Sequence, residues 1–292
     1  MQGPRRRTGR GDTVYSLSRE GHLFALDASS GAVRWAKHLV TDFGVSPPDY
    51  DFAGSPVVSG GLLLLNAGRS GLAVNKTTGA RIWDSGTGPG GYATPVLAEL
   101  SGTPAVVIFG RIAAYGVALA NGAVLWSFEW QTGSDANAAD PVVMDGTIFV
   151  ASAYGKGCAL FDVTGARPTP LWRNDAFQTH FGSFVLLDGY LYGIDGDARM
   201  PALGSLRCMD VRNGAVAWSA PVGFGSLIAA GSRLVVLTST GTILVAEASP
   251  AGYRELARCI LPRNQYWTPP ALAQGRLFVR NLTGDLFAID VR

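Results

Sequence analysis

The sequence predicts an all-β protein, a β-propeller of seven four-stranded antiparallel blades in which the first and last blades are incomplete. The first observation is a Gly-x-x-x-Trp step, stretched in the copy that ends at Trp172, which recurs along the chain and places Trp35, Trp83, Trp126, Trp172 and Trp218 at spacings of 48, 43, 46 and 46 residues. The second is a composition of 38 glycines with 47% hydrophobic and only 16% charged residues, which suits short buried strands joined by tight turns. A repeat of this length is typical of propellers.

Each repeat contains four segments that we name strands a to d. Strand a opens on a small residue and often proline, as in Ser55-Pro56, and a glycine-containing hairpin turn separates it from strand b. Strand c carries an Ala-x-Asp pattern, and strand d carries the tryptophan. No segment keeps a helical period for three turns, so we expect almost no helix.

The stretch from Ala25 to Trp35 is the model for the turn between strands c and d. Its Asp27 is expected to accept hydrogen bonds from amides of the turn, and Gly31 to adopt a left-handed conformation. The five repeated tryptophans are then expected to pack between neighbouring blades as docking residues. The fourth repeat has a stretched turn, because Asp162 is separated from Trp172 by an insertion that contains two prolines.

The two ends of the repeat pattern predict a domain that lacks part of its N-terminus. The pattern begins with a strand b near Asp12 and ends after a strand c at 286–290, so one strand d and one strand a are missing. Residues 1–11 are expected to be a basic, disordered lead, since four arginines fall in the first ten residues. Residues 12–292 are expected to form a single propeller domain.

Composition excludes several classes of function. Residues 11–292 carry 20 basic and 22 acidic residues, so the propeller offers no basic stripe for nucleic acid. No apolar segment is long enough to span a bilayer, and no signal peptide is visible in this chain. Cys158, Cys208 and Cys259 fall in three different repeats, which predicts buried fillers rather than disulfides or metal ligands.

The pattern Ala-x-Asp-x-x-x-Gly-x-x-x-Trp resembles the repeat of the PQQ-binding-like, or quinoprotein-like, β-propeller proteins of bacterial envelopes. That group includes pyrroloquinoline quinone (PQQ) alcohol dehydrogenases and the family of the outer-membrane protein assembly factor BamB. The resemblance covers residues 14–292 and includes Ser55-Pro56-Val57-Val58 and Gly225-Ser226-Leu227-Ile228. It implies a periplasmic or extracytoplasmic location, and a protein, peptide or polysaccharide of the envelope as the partner of a monomeric chain.

The residues that precede each strand a are expected to converge at one mouth of the central channel. Side chains with polar or aromatic character at these positions form the predicted ligand-binding site, and they are Asp51, Tyr92, Asp135, Asn137, Asp140, His180, Gln265, Tyr266 and Trp267. The alternative is that these residues only cap strand starts and fill the mouth.

Two functions remain open at this point. The first is a non-enzymatic binding or scaffold propeller with no catalytic residue, metal or cofactor. The second is an enzyme at the same mouth, with PQQ and calcium as cofactors, although the adjacent cysteines of the PQQ alcohol dehydrogenases are missing. Asp135, Asn137 and Asp140 offer oxygen ligands for calcium, with local turn capping as the alternative. A hydrolytic group of His180, Ser183 and Asp140 is a further hypothesis.

Overall fold

The chain folds as a seven-bladed β-propeller. The structure is a computed structural model that describes residues 11–292, and the predicted basic lead lies outside them except for Gly11. In this part of the chain, five blades are four-stranded sheets and the first and last have three strands. Strands adjacent in sequence are antiparallel neighbours in their sheet, which confirms the predicted fold class and the incomplete end blades.

The strands of the first four blades follow in chain order. Blade 1 contains β1 (Thr13–Leu17), β2 (His22–Asp27) and β3 (Val33–His38). Blade 2 contains β4 (Val57–Ser59), β5 (Leu62–Leu65), β6 (Leu72–Asn75) and β7 (Arg81–Asp84). Blade 3 contains β8 (Val96–Leu100), β9 (Thr103–Phe109), β10 (Ala113–Ala118) and β11 (Val124–Glu129). Blade 4 contains β12 (Val142–Met144), β13 (Thr147–Ser152), β14 (Gly157–Asp162) and β15 (Thr169–Asn174).

The last three blades complete the described chain. Blade 5 contains β16 (Val185–Leu187), β17 (Tyr190–Asp195), β18 (Ser205–Asp210) and β19 (Val216–Pro221). Blade 6 contains β20 (Gly225–Ala230), β21 (Arg233–Thr238), β22 (Thr242–Glu247) and β23 (Glu255–Ile260). Blade 7 contains β24 (Ala271–Ala273), β25 (Arg276–Arg280) and β26 (Leu286–Asp290).

The structure divides into two compact units, and each has its own apolar clusters. The first unit comprises residues up to 148 together with 161–169, and the second comprises 149–160 together with 170–292. In the first unit, Leu23 of blade 1 shares a cluster with Leu63 of blade 2. In the second unit, Leu206 of blade 5 shares a cluster with Leu234 of blade 6. The core therefore consists of side chains buried between adjacent sheets.

Helix is nearly absent from residues 11–292, as predicted, and this part of the chain contains two short helical pieces. Helix α1 (Leu39–Phe43) begins where the His38 ring Nδ1 accepts hydrogen bonds from the amides of Val40 and Thr41, and it ends at Gly44. The second piece is one 3-10 turn, Pro201–Leu203, inside the connection between β17 and β18. Among residues 11–292, no helix has the length and apolar character needed to cross a bilayer.

The turns between strands c and d have the predicted hydrogen bonds. The Oδ1 atom of Asp27 accepts hydrogen bonds from the amides of Ser29 and Ser30 at 3.0 and 2.9 Å. Gly31 ends this turn with φ of 74°. The same left-handed conformation occurs at Gly79, Gly122 and Gly214, with φ of 70°, 75° and 70°. These glycines have the conformation that L residues rarely adopt.

Four of the five repeated tryptophans hydrogen-bond to the next blade along the chain. Their Nε1 atoms donate to backbone carbonyl oxygens that follow strand c of that blade: Trp35 to Lys76, Trp83 to Leu119, Trp172 to Val211 and Trp218 to Ser249. The first three indoles also lie against the turn glycine of that blade. A Cβ atom added to Gly79, Gly122 or Gly214 would lie only 2.8 to 2.9 Å from the ring atoms of the tryptophan that it meets.

Trp126 is the exception, and the stretched turn of blade 4 explains it. The Nε1 atom of Trp126 is buried and has no hydrogen-bond partner among the described residues. Its indole lies over Gly116 of its own blade, where an added Cβ would be 2.3 Å from Nε1, and meets Phe161 edge-on at 5.7 Å. In the longer turn, Gly165 is not left-handed, so the glycine platform of the other turns is missing.

Replacing each of two tryptophans by phenylalanine should separate the hydrogen bond from the ring area. Trp83→Phe leaves the carbonyl of Leu119 without its donor, whereas Trp126→Phe removes an N–H that has no partner. We expect Trp83→Phe to lower the free energy of unfolding by about 1–2 kcal/mol more than Trp126→Phe. Urea unfolding followed by circular dichroism measures the difference. An equal loss in both variants would contradict this account.

Candidate functional site

The predicted site residues are divided between the two units. Asp51, Tyr92, Asp135, Asn137 and Asp140 belong to the first unit, and His180, Gln265, Tyr266 and Trp267 belong to the second.

Asn137 is fully buried, and its amide serves the backbone. Its Nδ2 atom donates hydrogen bonds to the carbonyl oxygens of Gly110, Arg111 and Trp130 at 3.0, 3.1 and 2.9 Å. The backbone carbonyl oxygen of Asn137 accepts a hydrogen bond from the backbone amide of Tyr92 at 3.0 Å. Because buried backbone carbonyls need donors, this side chain holds the loops of blade 3 together.

Tyr92, Asp140 and Asp51 also have partners within the first unit. The hydroxyl oxygen of Tyr92 accepts a hydrogen bond from the amide of Tyr50 at 3.1 Å, and burial raises the pKa of Tyr92. The carboxylate of Asp140 accepts one from the amide of Thr94 at 2.7 Å. Asp51 has a left-handed backbone with φ of 65° and forms an ion pair with Arg19. These contacts hold strand starts and connecting loops in place.

Asp135 lies on the loop between β11 and β12, which also carries Asn137, and its carboxylate contacts two side chains. Its carboxylate accepts a hydrogen bond from Gln131 at 3.0 Å and forms an ion pair with Arg111 at 2.7 Å. The pKa of Asp135 is lowered, mainly by the hydrogen bond from Gln131. The hydrogen bond from Arg111 and the positive charge of Arg111 lower it further. Arg111 neutralises this carboxylate.

These residues do not fit a calcium and PQQ centre. Among the described residues, no group of three His, Cys, Asp or Glu side chains is arranged to hold a metal ion. The Asp135 carboxylate is paired with Arg111, the Asp140 carboxylate accepts the amide of Thr94, and the Nδ2 atom of Asn137 fixes that side chain by donating to backbone carbonyls. The thiols are also separate: Cys158 and Cys208 are buried in different blades as predicted, whereas Cys259 is exposed, so the prediction of a buried filler is wrong at that position. Burial raises the pKa of Cys158 to about 12, which keeps its thiol protonated.

In the second unit, Tyr266 points inward and Gln265 outward. The Tyr266 ring covers Gly241, whose φ is 95°, and a Cβ added there would lie 2.7 Å from Cε2 of the ring. Its hydroxyl donates a hydrogen bond to the carbonyl oxygen of Pro262 at 2.8 Å. Phe52 covers Gly21 in the same way in the first unit. Gln265 is exposed, and its carbonyl oxygen accepts the amide of Leu282 at 2.8 Å.

His180 is the centre of a polar cluster in the second unit. Its Nε2 atom lies 2.7 Å from the hydroxyl of Tyr154, and its Nδ1 atom lies 3.5 Å from the carboxylate of Asp197. Asp197 forms an ion pair with Arg199, whose guanidinium lies 5.3 Å above the Tyr154 ring. The Nδ1 atom is buried and makes no hydrogen bond within the described chain.

The charges of this cluster cancel near neutral pH. Burial lowers the pKa of His180, with a smaller opposing effect from Asp197 and a small further lowering by Arg199. The hydrogen bond from Arg199 lowers the pKa of Asp197. His180 is therefore neutral at pH 7, and the one carboxylate is paired with the one guanidinium.

Aromatic rings extend the cluster to Trp267. The Phe181 ring lies 4.9 Å from the His180 ring, 5.0 Å from Phe224 and 5.4 Å from Trp267. His180, Phe181 and Trp267 are partly exposed, whereas Phe224 is buried. We call Tyr154, His180, Phe181, Phe224 and Trp267 the His180 patch. It joins two of the nine predicted site residues, His180 and Trp267.

Sequence reasoning missed Tyr154, Asp197 and Arg199. Tyr154 lies in the turn between β13 and β14 with φ of 62°, and Asp197 and Arg199 lie in the connection between β17 and β18. That connection contains the extra 3-10 turn and interrupts a repeat whose other strands b and c are joined more directly. An insertion in a regular repeat is a signal for function, because loops on a rigid scaffold commonly carry it.

Comparisons with solved structures agree with the propeller fold. BamB from Moraxella catarrhalis matches with a TM-score of 0.71 and 18% identity, over 96% of this chain and 79% of that chain. A quinohemoprotein alcohol dehydrogenase from Comamonas testosteroni matches with a TM-score of 0.65 and 13% identity, over 92% of this chain and 61% of that chain. The C-terminal WD40 domain of Sif2 matches with a TM-score of 0.63 and 12% identity, over 97% and 79%. At these identities the matches show the fold alone.

Comparisons of sequence identify the family. No curated protein sequence matches the chain significantly. The family model described as "Outer membrane protein assembly factor BamB" matches residues 2–220, which is most of the chain. This match confirms the resemblance read from the repeat pattern. The chain belongs to the family of the outer membrane protein assembly factor BamB, and its fold is a PQQ-like β-propeller.

Proposed function

We propose that this chain is a non-enzymatic binding propeller of the bacterial cell envelope, which holds a ligand on the His180 patch without transforming it. One observation carries the proposal. The predicted polar residues of the first unit bind their own loops, whereas His180, Phe181 and Trp267 form a partly exposed group of aromatic and polar side chains. Such a combination suits recognition of a ligand.

The family supports a scaffold role. Its description names an outer membrane protein assembly factor, and BamB from Moraxella catarrhalis has the same fold. On that ground we also propose a periplasmic location and protein partners in the envelope. The quinohemoprotein alcohol dehydrogenase is the competing precedent, but this chain spans only 61% of it.

The chemistry of the patch favours binding over catalysis. The described residues contain no group of three metal ligands, and the predicted calcium ligands are engaged elsewhere. The carboxylate of Asp197 lies 3.5 Å from His180, and Arg199 neutralises it. A base of this kind needs a nucleophile and an oxyanion site beside it, and the described contacts of His180 supply neither.

Photo-crosslinking in cells tests the proposed binding. A benzophenone amino acid replaces Phe181 in the full chain, and the matched control carries it in place of Phe287, which is also partly exposed but lies on β26. We expect the Phe181 position to form an adduct of defined mass in the envelope fraction, and the Phe287 position to form none. The adduct should disappear in a second variant that also carries Trp267→Ala. Adducts that are absent from the patch, or identical at both positions, would overturn the proposal.

An activity assay tests the competing enzyme. The purified chain is mixed with PQQ and calcium chloride, and dye reduction is measured with alcohols and sugars. We expect the rate to equal that of the mixture without protein. Dye reduction that needs the protein and is lost in His180→Ala would overturn the non-enzymatic proposal in favour of a dehydrogenase.

A further inference from the structure

The aromatic part of the His180 patch is a group of three contacting rings, two of which are partly exposed. The Phe181 and Trp267 rings are 5.4 Å apart and inclined at 57°, and Phe224 lies perpendicular to Phe181 at 5.0 Å. Phe181 and Trp267 are partly exposed while Phe224 is buried, so the two outer rings are accessible from solvent and the inner ring packs beneath Phe181. Aromatic faces attract the weakly positive C–H groups of a ligand.

Three polar atoms in the same segments of the second unit have no hydrogen-bond partner within the described chain. They are Nδ1 of His180, Nε1 of Trp267 and Oγ of Ser226, and each is buried as an atom. Ser226, two residues after Phe224, is only 4% exposed. Orphaned buried polar atoms are rare and call for a partner. The His180 and Trp267 side chains that carry two of these atoms are themselves partly exposed, and Nδ1 of His180 lies 3.5 Å from the Asp197 carboxylate.

The hydrogen-bonding character of these atoms is mixed. The Trp267 Nε1–H is a donor only, whereas the Ser226 hydroxyl both donates and accepts. When the Tyr154 hydroxyl donates to Nε2 of His180, Nδ1 carries the proton and is a second donor. A ligand that satisfies this set needs groups that donate and accept within a short distance, which hydroxyl groups do.

The charge of the patch does not favour strongly ionic ligands. Asp197 and Arg199 form an ion pair, and His180 is neutral near pH 7. An ionic ligand would have to compete with this ion pair for its counter-charge, at a cost in hydration. A neutral ligand that is rich in hydroxyl groups and apolar on one face matches the patch better.

We propose that the His180 patch binds a neutral saccharide, with the C–H face of one sugar ring stacked on Trp267 and Phe181 and its hydroxyls paired with the orphaned atoms. The inference rests on the proposed binding function and names the ligand class for the same site. A sugar ring is the common biological ligand that combines an apolar face with a rim of hydroxyls. A peptide offers fewer hydroxyls and is the competing outcome.

Calorimetric titration of the full chain tests the ligand class. The neutral probes are maltotriose, cellotriose and triacetylchitotriose, and glucose 6-phosphate and trigalacturonate are the charged controls. We expect at least one neutral probe to bind with a Kd of about 10⁻³ to 10⁻⁵ M, and the charged probes to bind at least tenfold more weakly. Failure of all neutral probes at about 10 mM, or equal binding of charged probes, would overturn the proposal.

Variants separate the patch from the fold. Trp267→Ala should weaken binding of the neutral probe by tenfold or more, and Trp267→Phe by an intermediate factor because it keeps a ring and loses Nε1. The matched control is Trp218→Phe, which loses an indole hydrogen bond to Ser249 in the same unit but lies outside the patch. Circular dichroism verifies that each variant is folded. Equal loss in Trp267→Ala and Trp218→Phe would contradict a site at the patch.

The outcome distinguishes this inference from the function on which it rests. If the Phe181 crosslink captures a protein and no neutral saccharide binds, the binding propeller stands and the saccharide is wrong. If neither crosslink nor titration detects a ligand, both proposals fall.

Discussion

Asn137→Asp should lower the free energy of unfolding by about 3–5 kcal/mol at pH 7.5, although the two side chains are almost the same size. The native amide is fully buried and donates to three backbone carbonyl oxygens. A carboxylate at this point has no proton to donate and places a negative charge against the same three oxygens. Urea unfolding of the variant and the parent chain measures the loss.

The pH dependence and a control identify the cause. Burial beside three carbonyls raises the pKa of the introduced carboxyl in the folded state, so folding takes up a proton and the destabilisation shrinks as pH falls. We expect the loss at pH 5 to be smaller than the loss at pH 8. Asn121→Asp is the matched control, because Asn121 is exposed and serves as an acceptor for the amide of Ala123. A loss above about 0.5 kcal/mol in the control, or no pH dependence at position 137, would contradict this assignment.

Gly122→Ala should destabilise the protein by about 2–4 kcal/mol, while Gly31→Ala should cost only about 1 kcal/mol. Both glycines end a turn between strands c and d, with φ of 75° and 74°. A Cβ at Gly122 would lie 2.8 Å from the Trp83 ring, whereas a Cβ at Gly31 meets nothing within 4 Å. The backbone strain is therefore shared, and the difference measures the steric clash with the indole.

Thermal and urea unfolding of the two glycine variants provide the comparison. The same loss in both would show that Trp83 moves aside without cost. A double variant, Gly122→Ala with Trp83→Phe, should recover part of the loss, because the smaller ring leaves room for the methyl group. No recovery would locate the cost in the backbone alone.

The sequence predicts the blades well because their determinants are local. Gly31 and Asp27 form their turn within five residues, and the same hydrogen bonds recur at Asn75 with Thr77 and Thr78. A pattern that is repeated and short-ranged can be read directly from spacing. The count of seven blades and the three-stranded end blades follow from the same pattern.

The site is harder to predict, because equivalent positions face different neighbours. Asn137 and His180 occupy the same place before strand a, yet Asn137 finds three carbonyls and is buried, while His180 finds a hydroxyl and stays partly exposed. Tyr154 and Asp197 reach His180 from two other loops. The spacing of residues along the chain does not predict such contacts between side chains of different loops.

The packing of a tryptophan on the turn glycine of the next blade also bears on how the number of blades changes in evolution. Trp35 packs on the turn glycine of the next repeat, and Trp83 packs on the turn glycine of the repeat after that, so blade 2 takes part in two equivalent contacts, one on each side. Duplication or deletion of one complete repeat would rebuild the same contact at the new border. The lengthened turn of blade 4 does not offer the same contact. Trp126 instead meets Phe161, and its Nε1 atom has no hydrogen-bond partner among the described residues. We therefore expect relatives to gain or lose repeats more readily where a tryptophan packs on the next turn glycine than at the border between blades 3 and 4, where this contact is missing.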